Sequence, residues 1–294
     1  MGGRFGSVVT AMVTPFHDDL SLDVDTAQEL ASWLVDSGTQ SLVIAGSTGE
    51  AATLTDEEKI TLWRAVAEAV RGRAKVIAGT GTYDTAHSIH LTEEAERAGS
   101  DAVLVVSPYY NKPPQRGLLA HFSAVAGATG LPVIAYNIPG RTAVRIEHDT
   151  LLRLAEIDNI VGVKDSTGDF DALARLIHEA PDGFEVYCGD DWATFGYVCL
   201  GAVGVVSVAS HVAGERIRHM IELLEGGDLD GARKIHYELL PAFHSLFVTT
   251  NPIPLKAAMA LIGRPVGPPR LPLVPATDDE VARIRTGMEA SGVL

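Results

Sequence analysis

Residues 75–107 read KVIAGTGTYDTAHSIHLTEEAERAGSDAVLVVS. The stretch opens on one apolar run, KVIAGT from 75, and closes on another, DAVLVVS from 101. Neither alternates strictly between apolar and polar residues, which is the pattern of parallel strands buried on both faces. Between them lies a helical pattern in which Ala95 and Ala98 lead into Gly99, a glycine placed to end the helix. The GTGTYDT segment at 79–85 is rich in glycine but is not followed by Gly-Lys, so it is a weak phosphate-loop signal.

The same rhythm runs along the chain on both sides. SVVTAMV from 7, SLVIAG from 41, PVIAYN from 132, IVGVKDS from 160, EVYCGD from 185 and AVGVVSV from 202 add six more strand candidates. Helical patterns separate them. In LTDEEKITLWRAVAEAV, Thr55 and Glu58 have capping-box spacing, and Ile60, Trp63, Val66 and Val70 mark one face. Leu30, Trp33 and Leu34 mark another helix, which stops at Gly38. Eight strands alternating with helices predict a (β/α)8 TIM barrel, an α/β fold, in preference to a doubly wound open sheet. The strand signal ends near residue 226. DLDGARKIHYELLPAFHSLF, NPIPLKAAMALIG and DDEVARIRTGMEASG then read as helices. The expected organisation is a catalytic barrel over 1–226 and a small C-terminal helical domain over 227–294.

Bulk properties narrow the function. The chain has 294 residues, 46% of them hydrophobic, and a formal net charge of -15. An acidic surface repels phosphate backbones, so no nucleic-acid partner is expected. No apolar run approaches the roughly 18–20 residues of a membrane span, and the N-terminus lacks a signal-peptide layout, so a cytoplasmic protein is expected. The two cysteines, Cys188 and Cys199, lie in apolar stretches and read as buried thiols. There is no C-x-x-C, and His87, His90 and Glu94 read as a solvated helix face, so no metal and no cofactor are expected.

Active sites of such barrels lie at the carboxyl ends of the strands. That rule selects Gly46-Ser47-Thr48-Gly49-Glu50, Ser107-Pro108-Tyr109-Tyr110-Asn111, Tyr136-Asn137 with Arg141 just beyond, Lys164-Asp165, and Gly189-Asp190-Asp191. Alternation puts Gly162 and Lys164 on one face of their strand. If that face is the barrel interior, the glycine leaves room for the lysine stem, and an amine in an apolar pocket is a usable nucleophile toward a keto acid. Position alone equally allows a lysine that faces the helices or pairs with Asp165. Schiff-base chemistry also needs proton traffic, for which Tyr136, Ser47, Thr48 and Tyr110 offer hydroxyls. Asp190 and Asp191 at the end of the seventh strand oppose phosphate binding there, and Asp191 reads as the cap of WATFGYVCL.

The motifs GSTGE, SPYYNKP, YNIPGRT, VGVKDSTGD, GDD and NPIPLK occur in that order across nearly the whole chain. As an ordered set they resemble the dihydrodipicolinate synthase family, pyruvate-dependent class I aldolases related to the N-acetylneuraminate lyases. The resemblance implies a (β/α)8 barrel with a C-terminal helical domain, assembled as a homotetramer, a dimer of dimers. It implies condensation of pyruvate with L-aspartate 4-semialdehyde to give 4-hydroxy-tetrahydrodipicolinate, in lysine and diaminopimelate biosynthesis. Lys164 then matches the Schiff-base lysine and Tyr136 the proton donor and acceptor. Ser47 and Tyr110 match the proton relay, with Tyr110 reaching in from a neighbouring subunit. Thr48 and the backbone at Val206 match the pyruvate carboxylate site, and Arg141 matches the arginine that holds the semialdehyde carboxylate. An arginine fork suits a second carboxylate.

Two features depart from the family pattern. Ser47 stands where the synthases usually carry threonine and many lyases serine; it keeps the hydroxyl and loses a methyl. That leaves a related aldolase acting on a sugar acid or hydroxy-keto acid as the alternative, opposed by Arg141. A non-catalytic barrel would be expected to lose the lysine or the tyrosines. At the positions matching the lysine-feedback site stand Asp56, Lys59, Tyr83 and His87. The glutamate that would pair the lysine amine is absent and Lys59 would repel it, which predicts weak or no inhibition by lysine.

Overall fold

The computed structural model describes residues 2–294. Eight parallel strands close into a barrel in sequence order: β1 Val8–Ala11, β2 Ser41–Ile44, β3 Lys75–Gly79, β4 Ala102–Val106, β5 Val133–Asn137, β6 Ile160–Asp165, β7 Glu185–Cys188 and β8 Gly204–Ser207. Each coincides with one of the eight apolar runs. Alternation along the strands sorts their side chains into two cores. Val9, Val43, Ile77, Leu104, Ile134, Tyr136, Tyr187 and Val206 fill the barrel, while Val8, Leu42, Ile44, Val103, Val105 and Val163 pack outward against the helices.

The helices start and stop where their polar residues dictate. Helix Asp56–Ala69 begins with a complete capping box between Thr55 and Glu58. Helix Val24–Asp36 ends ahead of Gly38, whose φ of +99° a side chain would resist. On Asp56–Ala69 the core face is Leu62, Trp63, Ala65 and Val66, with Ile60 only partly covered.

Beyond β8 the described chain is helical: Ser210–Glu225, Leu229–Ser245, Ile253–Leu261 and Asp278–Ala290. The segment between the last two has no regular structure, yet it is tightly held. Phe16 N–H donates to Val266 O at 3.1 Å. Arg270 donates to Leu20 O at 2.7 Å, Thr53 O at 3.0 Å and both Glu58 carboxylate oxygens. The buried Lys256 ammonium lies 2.9 Å from the buried Glu50 carboxylate and donates to Thr14 O and Pro268 O, both at 3.0 Å. These ties lay Pro272 and Leu273 across the barrel mouth.

Three expectations need correction. Cys188 is buried, but Cys199 is exposed, because Cys199 and Leu200 end a short helix whose Thr194 and Tyr197 face the core. Asp191 does not cap its own helix. It is buried, and accepts from Ser207 Oγ and from the Val208 and Ala209 N–H groups at 3.0 and 2.9 Å, so it closes the turn after β8. Gly162 does not make room for the lysine stem: a Cβ there would collide with the carbonyl of Glu185 on β7. The glycine beside the lysine is Gly189, where a Cβ would stand 3.1 Å from Lys164 Cε.

Candidate active site

A cavity of about 410 Å³ opens at the carboxyl ends of the strands. Lys164 projects into it from β6 and is buried. Parallel pairing places Tyr136 on β5 and Tyr187 on β7 in register with Lys164, so all three side chains share the inner face. The Lys164 ammonium sits 4.2 Å from the Tyr136 ring centroid. Tyr187 points the other way, toward Phe5 N–H and Glu185, and burial pushes its phenol up. Asp165 is turned outward and does not serve Lys164: it accepts from Tyr197 Oη at 2.7 Å and Thr167 Oγ1 at 2.8 Å. Burial raises its carboxyl, opposed by those hydrogen bonds.

Ser47, Thr48, Tyr136, Arg141 and Lys164 all line this one cavity. Thr48 is buried and accepts from Asn251 Nδ2 at 2.9 Å, which leaves its own hydroxyl hydrogen free to donate into the cavity. Ser47 is exposed at the edge. Arg141 stands on the short helix Pro139–Thr142, pinned by Thr142 Oγ1 donating to Ile138 O and Val144 O at 3.0 and 2.8 Å. Its Nη2 donates to Asn251 O at 3.2 Å.

Two sequence-selected residues lie elsewhere. Tyr110 is 90% exposed, held outside the cavity by a φ of +72°, and Tyr109 lines the wall in its place. Val206 lies within the barrel core below the cavity, and Val208 is the lining residue after β8. Sequence reading gave no role to Asn251, which ties Thr48 to Arg141, or to Lys256, which neutralises Glu50 beneath the rim. The signal was present in NPIPLK, but no spacing rule assigns a remote helix to a strand-end turn. Asp190 was read from sequence only as opposing phosphate; it lines the cavity, and its carboxyl is raised to about 6 by burial, against the pull of Lys164.

Near the cavity, Asp56 pairs with both Lys59 and His87. His87 Nε2 lies 2.9 Å from Asp56 Oδ2, and Lys59 Nζ lies 3.6 Å from Oδ1. Burial pushes the Asp56 carboxyl up, but the His87 hydrogen bond and the charges of His87 and Lys59 leave it below its ordinary value. Tyr83 stacks edge-on against Tyr109 with centroids 5.5 Å apart.

This geometry provides a buried amine beside a phenol, a hydroxyl donor aimed inward and a guanidinium at the rim. Such a set can form an imine with a small keto acid and hold a second anionic substrate. Comparison with known proteins points the same way. The model of the dihydrodipicolinate synthetase family matches residues 4–291. The 4-hydroxy-tetrahydrodipicolinate synthase of Acidothermus cellulolyticus is 53% identical over 98% of this chain and 93% of its own. That of Moorella thermoacetica is 50% identical over 99% of this chain and 100% of its own. Among solved structures, dihydrodipicolinate synthase from Cyanidioschyzon merolae with lysine bound superposes with a TM-score of 0.98 at 44% identity, covering 99% of this chain and 100% of that one. The chloride-inhibited enzyme of Acinetobacter baumannii complexed with pyruvate gives a TM-score of 0.96 at 37% identity, covering 99% and 100%.

Proposed function

We infer that this chain, which belongs to the dihydrodipicolinate synthetase family, condenses pyruvate with L-aspartate 4-semialdehyde through a Schiff base on Lys164. The product is 4-hydroxy-tetrahydrodipicolinate, and the activity is that of a lyase in lysine and diaminopimelate biosynthesis. The sugar-acid alternative has no support among these relatives.

In the proposed sequence Lys164 Nζ attacks the pyruvate keto carbon and water leaves. The resulting iminium loses a methyl proton to become an enamine. The enamine carbon bonds to the aldehyde carbon, and Tyr136 supplies the proton that the new alkoxide takes up. The amine of the second substrate then displaces Lys164 from the imine carbon, closing the ring and freeing the enzyme. Thr48 receives the pyruvate carboxylate, aided by the main chain of Val206, whose side chain stays in the barrel core, and Arg141 receives the semialdehyde carboxylate. Ser47 and Tyr110, the latter from a neighbouring subunit, relay the proton of Tyr136. The observation that carries this reading is the register pairing of Tyr136 with Lys164, which holds the ammonium 4.2 Å from the ring inside the cavity that Arg141 also lines.

The proposed assembly is a homotetramer built from dimers. Its support is Tyr110, 90% exposed, next in sequence to the Tyr109 against which an exposed Tyr83 packs, an arrangement that suits a tyrosine lent to another copy. No helix of the described residues is long and apolar enough to cross a membrane, and we place the enzyme in the cytoplasm. We divide the chain into a barrel over 1–226 and a helical extension over 227–294, since no described strand follows Ser207. The test of the reaction is turnover of pyruvate with L-aspartate 4-semialdehyde, coupled to the NADPH-dependent reductase that consumes the product. Robust turnover is expected; cleavage of a sugar keto acid with none of this condensation would overturn the assignment.

A further inference from the structure

A second cavity lies at the opposite end of the barrel, where the strands begin. It is a groove of about 850 Å³, walled by helix Asp56–Ala69 and by the loops that lead into β3 and β4. Four cations and two carboxylates line it: Arg64, Arg71, Arg73, Lys75, Glu68 and Asp101. Asp101 is already engaged, since its Oδ2 accepts from Val76 N–H at 2.8 Å. Arg73 is paired with Asp36 at 2.9 Å. Arg64, Arg71 and Lys75 are exposed and form no ion pair with a described residue, and Glu68 forms none either. Lys75 holds its ammonium 5.5 Å from the Phe5 ring centroid. Between the two arginines of the loop, the Gly72 N–H donates to no described acceptor, and the space beside its Cα is open.

This groove inverts the charge of the chain around it. The sequence has 38 acidic residues and 23 basic ones, yet residues 64–75, RAVAEAVRGRAK, hold four basic residues and one acidic. Chemistry is not sited at this end of a barrel, and neighbouring like charges repel, so neither catalysis nor stability accounts for the cluster. A bound anion would relieve that repulsion. The acidic surface beyond the groove keeps long polyanions away, whereas the groove itself can concentrate a short one.

The donors select the anion. Guanidinium forks match phosphate oxygens two at a time, and a lysine adds a point charge. The unpaired side chains of Arg64, Arg71 and Lys75, with the Gly72 N–H, are more donors than one carboxylate or one phosphate can use. We propose that the groove is a binding site for a small anion with a chain of two or more phosphates, held by Arg64, Arg71, Lys75 and the Gly72 N–H. A bare polyphosphate and a nucleotide share that chemistry; the nucleotide would also lay its base on the apolar wall at Ala67 and Ala74.

The test is calorimetric titration of the full chain with inorganic phosphate, tripolyphosphate and ATP, each without divalent cations. Tripolyphosphate should bind at one site per chain, more tightly than inorganic phosphate, and should weaken as salt screens the charges. In the double variant Arg64→Gln, Arg71→Gln its affinity should fall about ten-fold, the loss of two exposed charge-assisted contacts. The unfolding midpoint of that variant without ligand should match the parent; if it does not fold, Arg71→Gln alone carries the comparison. ATP binding more tightly than tripolyphosphate would identify a nucleotide site, and equal affinity a site for the phosphate chain alone. No saturable binding of either probe at low salt, or the same affinity in the variant, would overturn the proposal. So would loss of binding in Arg141→Gln, which would place the anion in the active-site cavity instead.

Discussion

Tyr136 and Lys164 meet because β5 and β6 are in register, not because they are near in sequence. That pairing separates their roles by experiment. Tyr136→Phe keeps the ring beside the amine and removes only the hydroxyl. Condensation should slow by about 10²- to 10⁴-fold, with pyruvyl labelling of Lys164 retained; wild-type turnover would remove Tyr136 from the mechanism. Asn251 acts one residue further out. It donates to Thr48 Oγ1 at 2.9 Å, and its carbonyl receives Arg141. Asn251→Ala should raise the KM for pyruvate about ten-fold, the loss of one oriented hydroxyl donor. An unchanged KM in steady-state assays would show that Thr48 needs no support.

At the scale of elements, the strands and the capping box at Thr55 were legible in sequence because they depend on local pattern. Val8–Ala11 through Gly204–Ser207 are short buried runs, and Thr55 with Glu58 carries its own start signal. The connection from 262 to 277 was not legible. It has no periodicity, and its place is set by distant charges: Lys256 on Glu50 and Arg270 on Glu58. Burial lowers the Lys256 ammonium below its ordinary value while Glu50 holds it up. Lys256→Met would strand Glu50 as a buried charge and should cost about 3–5 kcal/mol in urea unfolding; a loss under 1 kcal/mol would show the pair to be dispensable. His211 supplies a pH dependence. Its Nε2 accepts from Val13 N–H at 3.2 Å and its Nδ1 faces Val208 O at 2.8 Å, and burial depresses it from 6.5 to about 4. The unfolded chain takes up this proton first as pH falls. Stability present above pH 6.5 is therefore lost between 6.5 and about 4, by about 3 kcal/mol in all. His211→Gln should flatten that part of the curve of unfolding midpoint against pH; parallel curves would contradict it.

At the scale of the molecule, the barrel was readable from its rhythm, whereas the site was readable only in part. Lys164, Tyr136, Thr48 and Arg141 sit at strand ends of one chain and converge in one cavity. Tyr110 does not, and a sequence carries no signal of a second copy beyond the family resemblance. If Tyr110 completes a neighbour's site, Lys164→Ala and Tyr110→Phe should be inactive or weak alone. Mixed and reassembled, they should recover about a quarter of parental activity, since half the dimers are mixed and each holds one intact site. No recovery would make each protomer self-sufficient. In the cluster of Asp56, Lys59 and His87 the one carboxylate already has its partners, and we expect turnover to be insensitive to submillimolar lysine. The relative from Cyanidioschyzon merolae, solved with lysine bound, provides the control.

The central claim is covalent and assigns one atom. The protein is incubated with pyruvate, reduced with borohydride, digested and mapped by mass spectrometry. The account predicts a reduced pyruvyl adduct on the peptide carrying VGVKDSTGD, at Lys164, and none in Lys164→Ala. An adduct on another lysine, or full turnover by Lys164→Ala, would contradict it.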